Sequence, residues 1–230
     1  MPGRFWKATP SWPALSGNSP IFRLRVPLVL ASDSPRRRAF LRDLNLPARL
    51  VSPRRGAEPV PLPDESPEHF VLRAASAKAA SCLPLLSADA KALRLPADSL
   101  IIAADTIVVF NGRILGKPAD RAEALEFLRL LAGRSHEVLT ACVLESQAKR
   151  ESFLVRTRVA LWSCPDALLV AYASGDEPLD KAGAYAVQGQ GAFLVKSLQG
   201  SWSNVAGLPL AELVQALLRM GALAQESAFL

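Results

Sequence analysis

The run Leu100-Ile-Ile-Ala-Ala-Asp-Thr-Ile-Val-Val-Phe110, followed at once by Asn111-Gly112, constrains the fold of this chain more than any other segment. Apolar and β-branched residues on both sides of Asp105 and Thr106 specify a long, mostly buried strand. Asn-Gly is the strongest short hairpin signal and turns that strand back into Arg113 to Leu115. An ionised carboxylate inside such a strand is costly unless it is paired, metal-bound or facing a ligand site. Asp105 is therefore the first residue to which chemistry can be attached.

Around this strand, helix and strand signals interleave. Val26 to Ala31 reads as a short strand leading into Ser32-Asp-Ser-Pro35, where Ser34 is a good N-cap and Pro35 a good first helical residue. That helix runs to about Leu44 with Phe40, Leu41 and Leu44 on one face. Pro47 to Ser52 reads as a strand, and Pro53 to Pro63 as irregular, because proline supplies no ladder donor. Ser66-Pro67 repeats the cap signal and opens a helix to about Cys82, with Phe70, Ala74, Ala77 and Ser81 at helical spacing and Lys78 on it. Residues 83–99 read as a loop or short helix.

Asp120 with Glu123 starts a helix to Ala132, closed by Gly133. Glu137 to Leu144 and Phe153 to Trp162 read as paired strands, and a helix from Pro165 to Ala173 ends at Gly175. Gly-rich Asp180 to Gly191, a strand at Ala192 to Leu198 and a helix from Pro209 to Met220 complete the chain. The fold class is α/β with a mixed, twisted, partly antiparallel sheet flanked by helices.

Composition narrows the function. Of the +6 net charge on 230 residues, +4 falls on Arg4, Lys7, Arg23 and Arg25 within the acid-free stretch 1–32, so the remainder is nearly neutral and no nucleic-acid partner is expected. Residues 1–25 read as a disordered extension or a misplaced start, with a transit peptide as the other reading, and residues 26–225 as one catalytic domain. Two histidines and three cysteines without a Cys-x-x-Cys pair rule out multi-imidazole zinc sites and a disulfide framework. They fit a reducing, cytoplasmic setting. No apolar run approaches the roughly 20 residues of a membrane span.

Chemistry must then rest on carboxylates, amines and guanidiniums. The Ser32 to Ser34 turn at a helix N-terminus suits a phosphate or carboxylate. Arg36 and Arg37 oppose the helix dipole there and call for an external anion, or else form a solvated basic face. Lys117 in Gly116-Lys-Pro118 can be aimed by a rigid loop at the same place as Asp105. Lys181 sits in Asp-Lys-Ala-Gly-Ala-Tyr, where small residues permit close backbone approach. Gln188, before a glycine, can read a base edge or serve as a turn residue, and His136 is expected to be a satisfied structural histidine.

Taken together, Leu30-Ala-Ser-Asp-Ser-Pro-Arg-Arg37, Ala104-Asp-Thr106 with Gly116-Lys-Pro118, Gly133-Arg-Ser-His136, Asp180-Lys-Ala-Gly-Ala-Tyr-Ala-Val-Gln-Gly189 and Asn204-Val-Ala-Gly-Leu-Pro-Leu210 resemble, in order, the Maf family of nucleoside triphosphate pyrophosphatases. The resemblance implies a two-lobed α/β fold around a nucleotide cleft, as in Maf and ITPase-like proteins. It also implies a homodimer, dependence on Mg²⁺ or Mn²⁺ with unassigned ligands, and hydrolysis of an acid anhydride to the monophosphate and pyrophosphate.

By the same resemblance Asp105 is the catalytic carboxylate, as general base or metal ligand, with Glu58 assisting. Ser32, Arg36, Arg37, Lys78, Thr106, Lys117, Lys181 and Gln188 are expected to bind substrate. Arg36, Thr106 and Gln188 resemble the dTTP/UTP subgroup rather than the 7-methyl-GTP subgroup. A catalytically weak regulator of septum formation is the rival reading. Asp33, the single Glu58 before the second helix, and an extra residue in Ser174-Gly-Asp-Glu-Pro178 depart from the family pattern.

Overall fold

The computed structural model describes residues 21–54, 59–86 and 95–225. In chain order the elements are β1 (Phe22–Leu24), β2 (Leu28–Ala31), α1 (Pro35–Asp43), β3 (Ala48–Val51), α2 (Pro67–Cys82), β4 (Leu100–Phe110), β5 (Arg113–Leu115), α3 (Arg121–Leu131), β6 (Ser135–Glu145), β7 (Arg150–Leu161), α4 (Asp166–Ala173), β8 (Val195–Gln199), α5 (Trp202–Val205), α6 (Leu210–Arg219) and β9 (Leu223–Gln225). Among the described residues no helix is long and apolar enough to cross a membrane.

The expected cap and turn chemistry is realised. Ser34 Oγ accepts from Arg37 N, Ser66 Oγ from His69 N and Asp120 Oδ1 from Glu123 N. Glu123 Oε2 in turn accepts from the Ala119 amide at 2.7 Å, so two orphan amides at the start of α3 are satisfied. Asn111 and Gly112 both have positive φ, 50° and 77°, as a type I′ hairpin turn requires.

A seven-stranded mixed sheet forms in the order β3-β2-β4-β6-β7-β8, with β5 also on β4. β3, β2 and β4 run parallel, and β6, β7, β8 and β5 add antiparallel pairings. Alternation along β4 divides the core. Leu100, Ile102 and Ala104 pack with α1 and α6, whereas Ile101, Ala103, Ile107 and Val109 pack with α2. Beyond them Val108 joins Leu115, α3 and α4 in a third cluster.

The pairing leaves a gap that positions the site. On one edge β4 pairs with β6 from Ile101 to Val109. On the other, β2 covers only Leu100 to Ala103, and β5 begins only at Val108. The edge of residues 104–107 is therefore open, with Asp105 and Thr106 at its centre.

Three differences from the sequence reading have physical causes. The stretch 1–25, read as an irregular extension, contains β1, which pairs antiparallel with β9 and packs Phe22 and Leu24 against the α6 cluster. Three alternating residues with a partner some 200 positions away give no local signal; residues 1–20 lie outside the described part. The strand read from Ala192 starts at Val195, because Gln190–Leu194 forms a 3₁₀ turn. On α2 the buried stripe runs through Phe70, Ala74, Lys78 and Cys82 rather than through Ala77 and Ser81. Of the 83–99 segment, Leu83–Leu86 is a 3₁₀ turn, and residues 87–94 lie outside the described part.

His136 on β6 is buried, with Nε2 2.8 Å from Tyr185 Oη and Nδ1 without a partner among the described residues. Burial lowers its pKa to about 4. The unfolded chain thus takes the proton first, so this contribution to stability is whole above about pH 6.5 and lost as pH falls toward about 4. The loss amounts to about 3 kcal/mol. Replacing both partners, His136→Phe with Tyr185→Phe, should flatten the fall in urea-unfolding midpoint over that window relative to the native chain.

Candidate active site

A recess of about 640 Å³ opens at the gap in the sheet and is lined by Ser32, Arg36, Arg37, Lys78, Asp105, Thr106, Lys117, Lys181 and Gln188. All the site residues expected from the sequence thus converge on one place except Glu58, which lies outside the described residues. Asp33 and Asp180 also line it, so five cationic side chains face three carboxylates there. The site lies outside the carboxyl end of β2, where ligands of open α/β sheets bind.

Asp105 and Thr106 project to opposite faces of β4, as alternation demands. On the α2 side the Asp105 carboxylate meets Lys78 Nζ at 2.5 Å, with the two side chains 17% and 9% exposed. Both side chains are largely buried, yet both still line the recess. Lys78 owes its place to the buried stripe of α2, which lies across β4.

On the other side the two arginines divide. Arg36 is half-buried and donates Nε to Ala206 O at 3.3 Å. Arg37 is buried, and its guanidinium donates to Gly207 O (2.7 Å), Ala104 O (2.7 Å), Ser32 Oγ (3.3 Å) and Thr106 Oγ1 (3.1 Å). It therefore braces the open edge of β4 against the turn after β2 and the loop after α5. Asp33 is exposed and bonded to Ser52 Oγ at the end of β3.

Across the recess, Gly183 N donates to Gly116 O and joins the Lys117 loop to the Lys181 segment. Asp180 sits between the lysines, 2.7 Å from Lys117 Nζ and 3.3 Å from Lys181 Nζ. Burial works to raise the Asp180 carboxyl, but Lys117 and then Lys181 hold it below the usual value. Both ammonium groups can exchange this internal carboxylate for a ligand's phosphate.

Several contributors carried no role in the sequence reading. Asn204 of α5 is buried and donates Nδ2 to Val138 O and Thr157 Oγ1, which docks α5 on β6 and β7. Its carbonyl accepts from Thr140 Oγ1. The Asn204-Val-Ala-Gly segment thereby becomes a bracket whose carbonyls at 206 and 207 receive the two arginines. Glu177 accepts from Tyr172 Oη and Gly191 N, both at 2.9 Å, and so pins the turn that follows Gln188. Burial first and Glu177 second push the Tyr172 hydroxyl upward in pKa. Sequence separation hid the partners of Asn204, which lie 47 to 66 positions away.

Among the described residues no group of three or more His, Cys, Asp or Glu could hold a metal ion alone. Mg²⁺ is commonly held by one or two carboxylates and by substrate phosphates, and the Asp105 oxygen that does not bond Lys78 is of the type that arrangement uses.

A mixed α/β sheet opened at its centre, with a lysine-held carboxylate in a recess that four further cationic side chains line, offers a polyanionic small molecule a place to bind. The family described as Maf-like protein matches residues 27–220, and the chain belongs to the Maf family. A protein of Nitratidesulfovibrio vulgaris named dTTP/UTP pyrophosphatase is 50% identical over 198 residues, covering 86% of this chain and 89% of that one. Proteins of the same name from Oleidesulfovibrio alaskensis and Halalkalibacterium halodurans are 44% and 43% identical, covering 87% and 83% of this chain and 88% and 94% of theirs.

Gly189 connects Gln188 to this support. Its φ of 90° and ψ of −154° suit glycine alone, and a Cβ there would collide with Glu177 Oε1. Gly189→Ala should lower the urea midpoint strongly. Adding Glu177→Ala should recover part of the loss, with a coupling of about 1 kcal/mol or more in a double-mutant cycle.

Proposed function

We propose that the chain hydrolyses dTTP and UTP to the nucleoside monophosphate and pyrophosphate, as the names of its relatives state for them. The observation that carries this reading is the Asp105–Lys78 pair at the open edge of β4, within a recess that Arg36, Arg37, Lys117 and Lys181 also line. A triphosphate needs its charge offset before water can attack phosphorus and an anion can depart. Arg36, Lys117, Lys181 and the Ser32–Ser34 turn at the N-terminus of α1 supply that offset. Arg37 serves by holding Thr106 and the bracket after α5 in place.

Water attacks the α-phosphorus, the bond from that phosphorus to the bridging oxygen breaks, and pyrophosphate leaves with the electron pair. Asp105 directs the water, either by accepting its proton or as a ligand of a divalent cation. Lys78 fixes the carboxylate and adds positive charge beside the reacting phosphoryl group. When bound, Mg²⁺ or Mn²⁺ offsets phosphate charge. Glu58 is assigned an assisting role by the family resemblance alone. Gln188 and Thr106 meet the pyrimidine edge, and Arg36 stands where the 7-methyl-GTP subgroup carries tryptophan. Two lobes around the recess, a homodimer and a cytoplasmic role in nucleotide-pool housekeeping belong to the same reading.

Pyrophosphate release measured with Mg²⁺ or Mn²⁺ on dTTP, UTP, CTP, ATP, GTP and 7-methyl-GTP should be concentrated on dTTP and UTP. Asp105→Asn should lower kcat by about 100-fold or more while nucleotide affinity is retained. Full activity in that variant would move catalysis elsewhere. Preference for 7-methyl-GTP would remove the roles of Arg36, Thr106 and Gln188, and binding without turnover in the native chain would favour a regulator.

A further inference from the structure

A uracil or thymine ring offers a donor at N3 where cytosine offers an acceptor, so selecting between them requires a protein group whose polarity is fixed. Gln188 alone does not meet that requirement. Its side-chain amide makes no hydrogen bond among the described residues, and by turning over it can present either its oxygen or its NH₂. Thr106 is different, because its hydroxyl belongs to a chain of bonds that runs from the recess wall into the buried interior.

The direction of that chain follows from the groups at its ends. Arg37 Nη2 can only donate, so Thr106 Oγ1 accepts from it at 3.1 Å. At the other end Asn204 O can only accept, and it takes the single proton of Thr140 Oγ1 at 2.9 Å. Thr106 and Thr140 lie 2.9 Å apart. With the Thr140 proton committed, the Thr106 proton must fill the space between the two hydroxyls. Both available bonds then form, and Thr106, which lines the recess, keeps one lone pair not used by either bond. Thr140 is wholly buried, does not line the recess and cannot touch a ligand.

We infer that Thr140 is a positioning residue that locks the Thr106 hydroxyl as an acceptor, so that the recess selects N3–H bases, uracil and thymine, over cytosine. This rests on the reading that Thr106 meets the base edge. To bond cytosine at N3, Thr106 must turn its proton toward the ligand and give up its bond to Thr140. That bond corresponds to about a two- to tenfold difference in affinity.

The test is the ratio of kcat/KM for UTP to that for CTP, and for dTTP to dCTP, each taken within one preparation so that the active fraction cancels. Thr140→Val should lower the ratio about two- to tenfold. The change should come from a lower KM for CTP, because the freed proton can now be offered to cytosine N3. Thr140→Ser, which keeps the hydroxyl, should leave the ratio at the native value, and Thr140→Ala replaces the valine variant if that does not fold. A merely structural role would depress both substrates together and leave the ratio unmoved. Thr106→Val separates the two levels of the argument. If it moves the ratio and Thr140→Val does not, the lock is overturned; if Thr106→Val itself leaves the ratio unchanged, the base-edge reading fails and the lock with it.

Discussion

Arg37 is the interaction on which the site depends. β4 outruns its partner β2, and an open strand edge in the middle of a sheet leaves backbone groups that must find partners elsewhere. The Arg37 guanidinium fills that need at Ala104 O, and the same planar group reaches Ser32, Thr106 and Gly207. Three segments far apart in the chain are thereby held at one point. The fork geometry of arginine suits this task, and a lysine could not make four such bonds in fixed directions.

From that brace the remaining arrangement follows. Alternation along β4 sends Asp105 toward α2, where Lys78 waits on the buried stripe, and sends Thr106 toward α1 and the bracket after α5. The Asp105–Lys78 pair and the hydroxyl chain therefore stand on opposite faces of one strand, joined through its open edge. The lysines enter from the far wall on a loop and a glycine-rich turn tied together by the Gly183–Gly116 bond. Family membership and the architecture agree: residues matched to the family begin at β2 and end with α6.

Much of this was legible locally. Ser34-Pro35, Ser66-Pro67, Asp120 with Glu123, and Asn111-Gly112 act through neighbours within a few residues, so the sequence states them directly. Asp105 stood out because a charge inside an apolar strand demands a reason. What stayed hidden were choices made by tertiary packing. Arg36 and Arg37 are adjacent in sequence, yet about 100° apart around a helix, and only the packing of α1 decides which one turns to the sheet. Lys78 could have been paired with Asp105 from its spacing of four and eight residues to Ala74 and Phe70, had the stripe been drawn through it. Thr140, Thr157 and Asn204 carried no such signal, because their partners lie 34 to 66 positions away.

The central claim is that the open edge of β4 is the reaction centre, with the phosphates on the cationic walls and the base at Thr106. A crystal structure with an α,β-imido analogue of UTP and Mg²⁺ tests it most directly. The account predicts the α-phosphoryl group beside Asp105 and Lys78, and the uracil N3–H directed at Thr106 Oγ1. An analogue seated with its base against Lys117 and Lys181, or outside the recess, would contradict it.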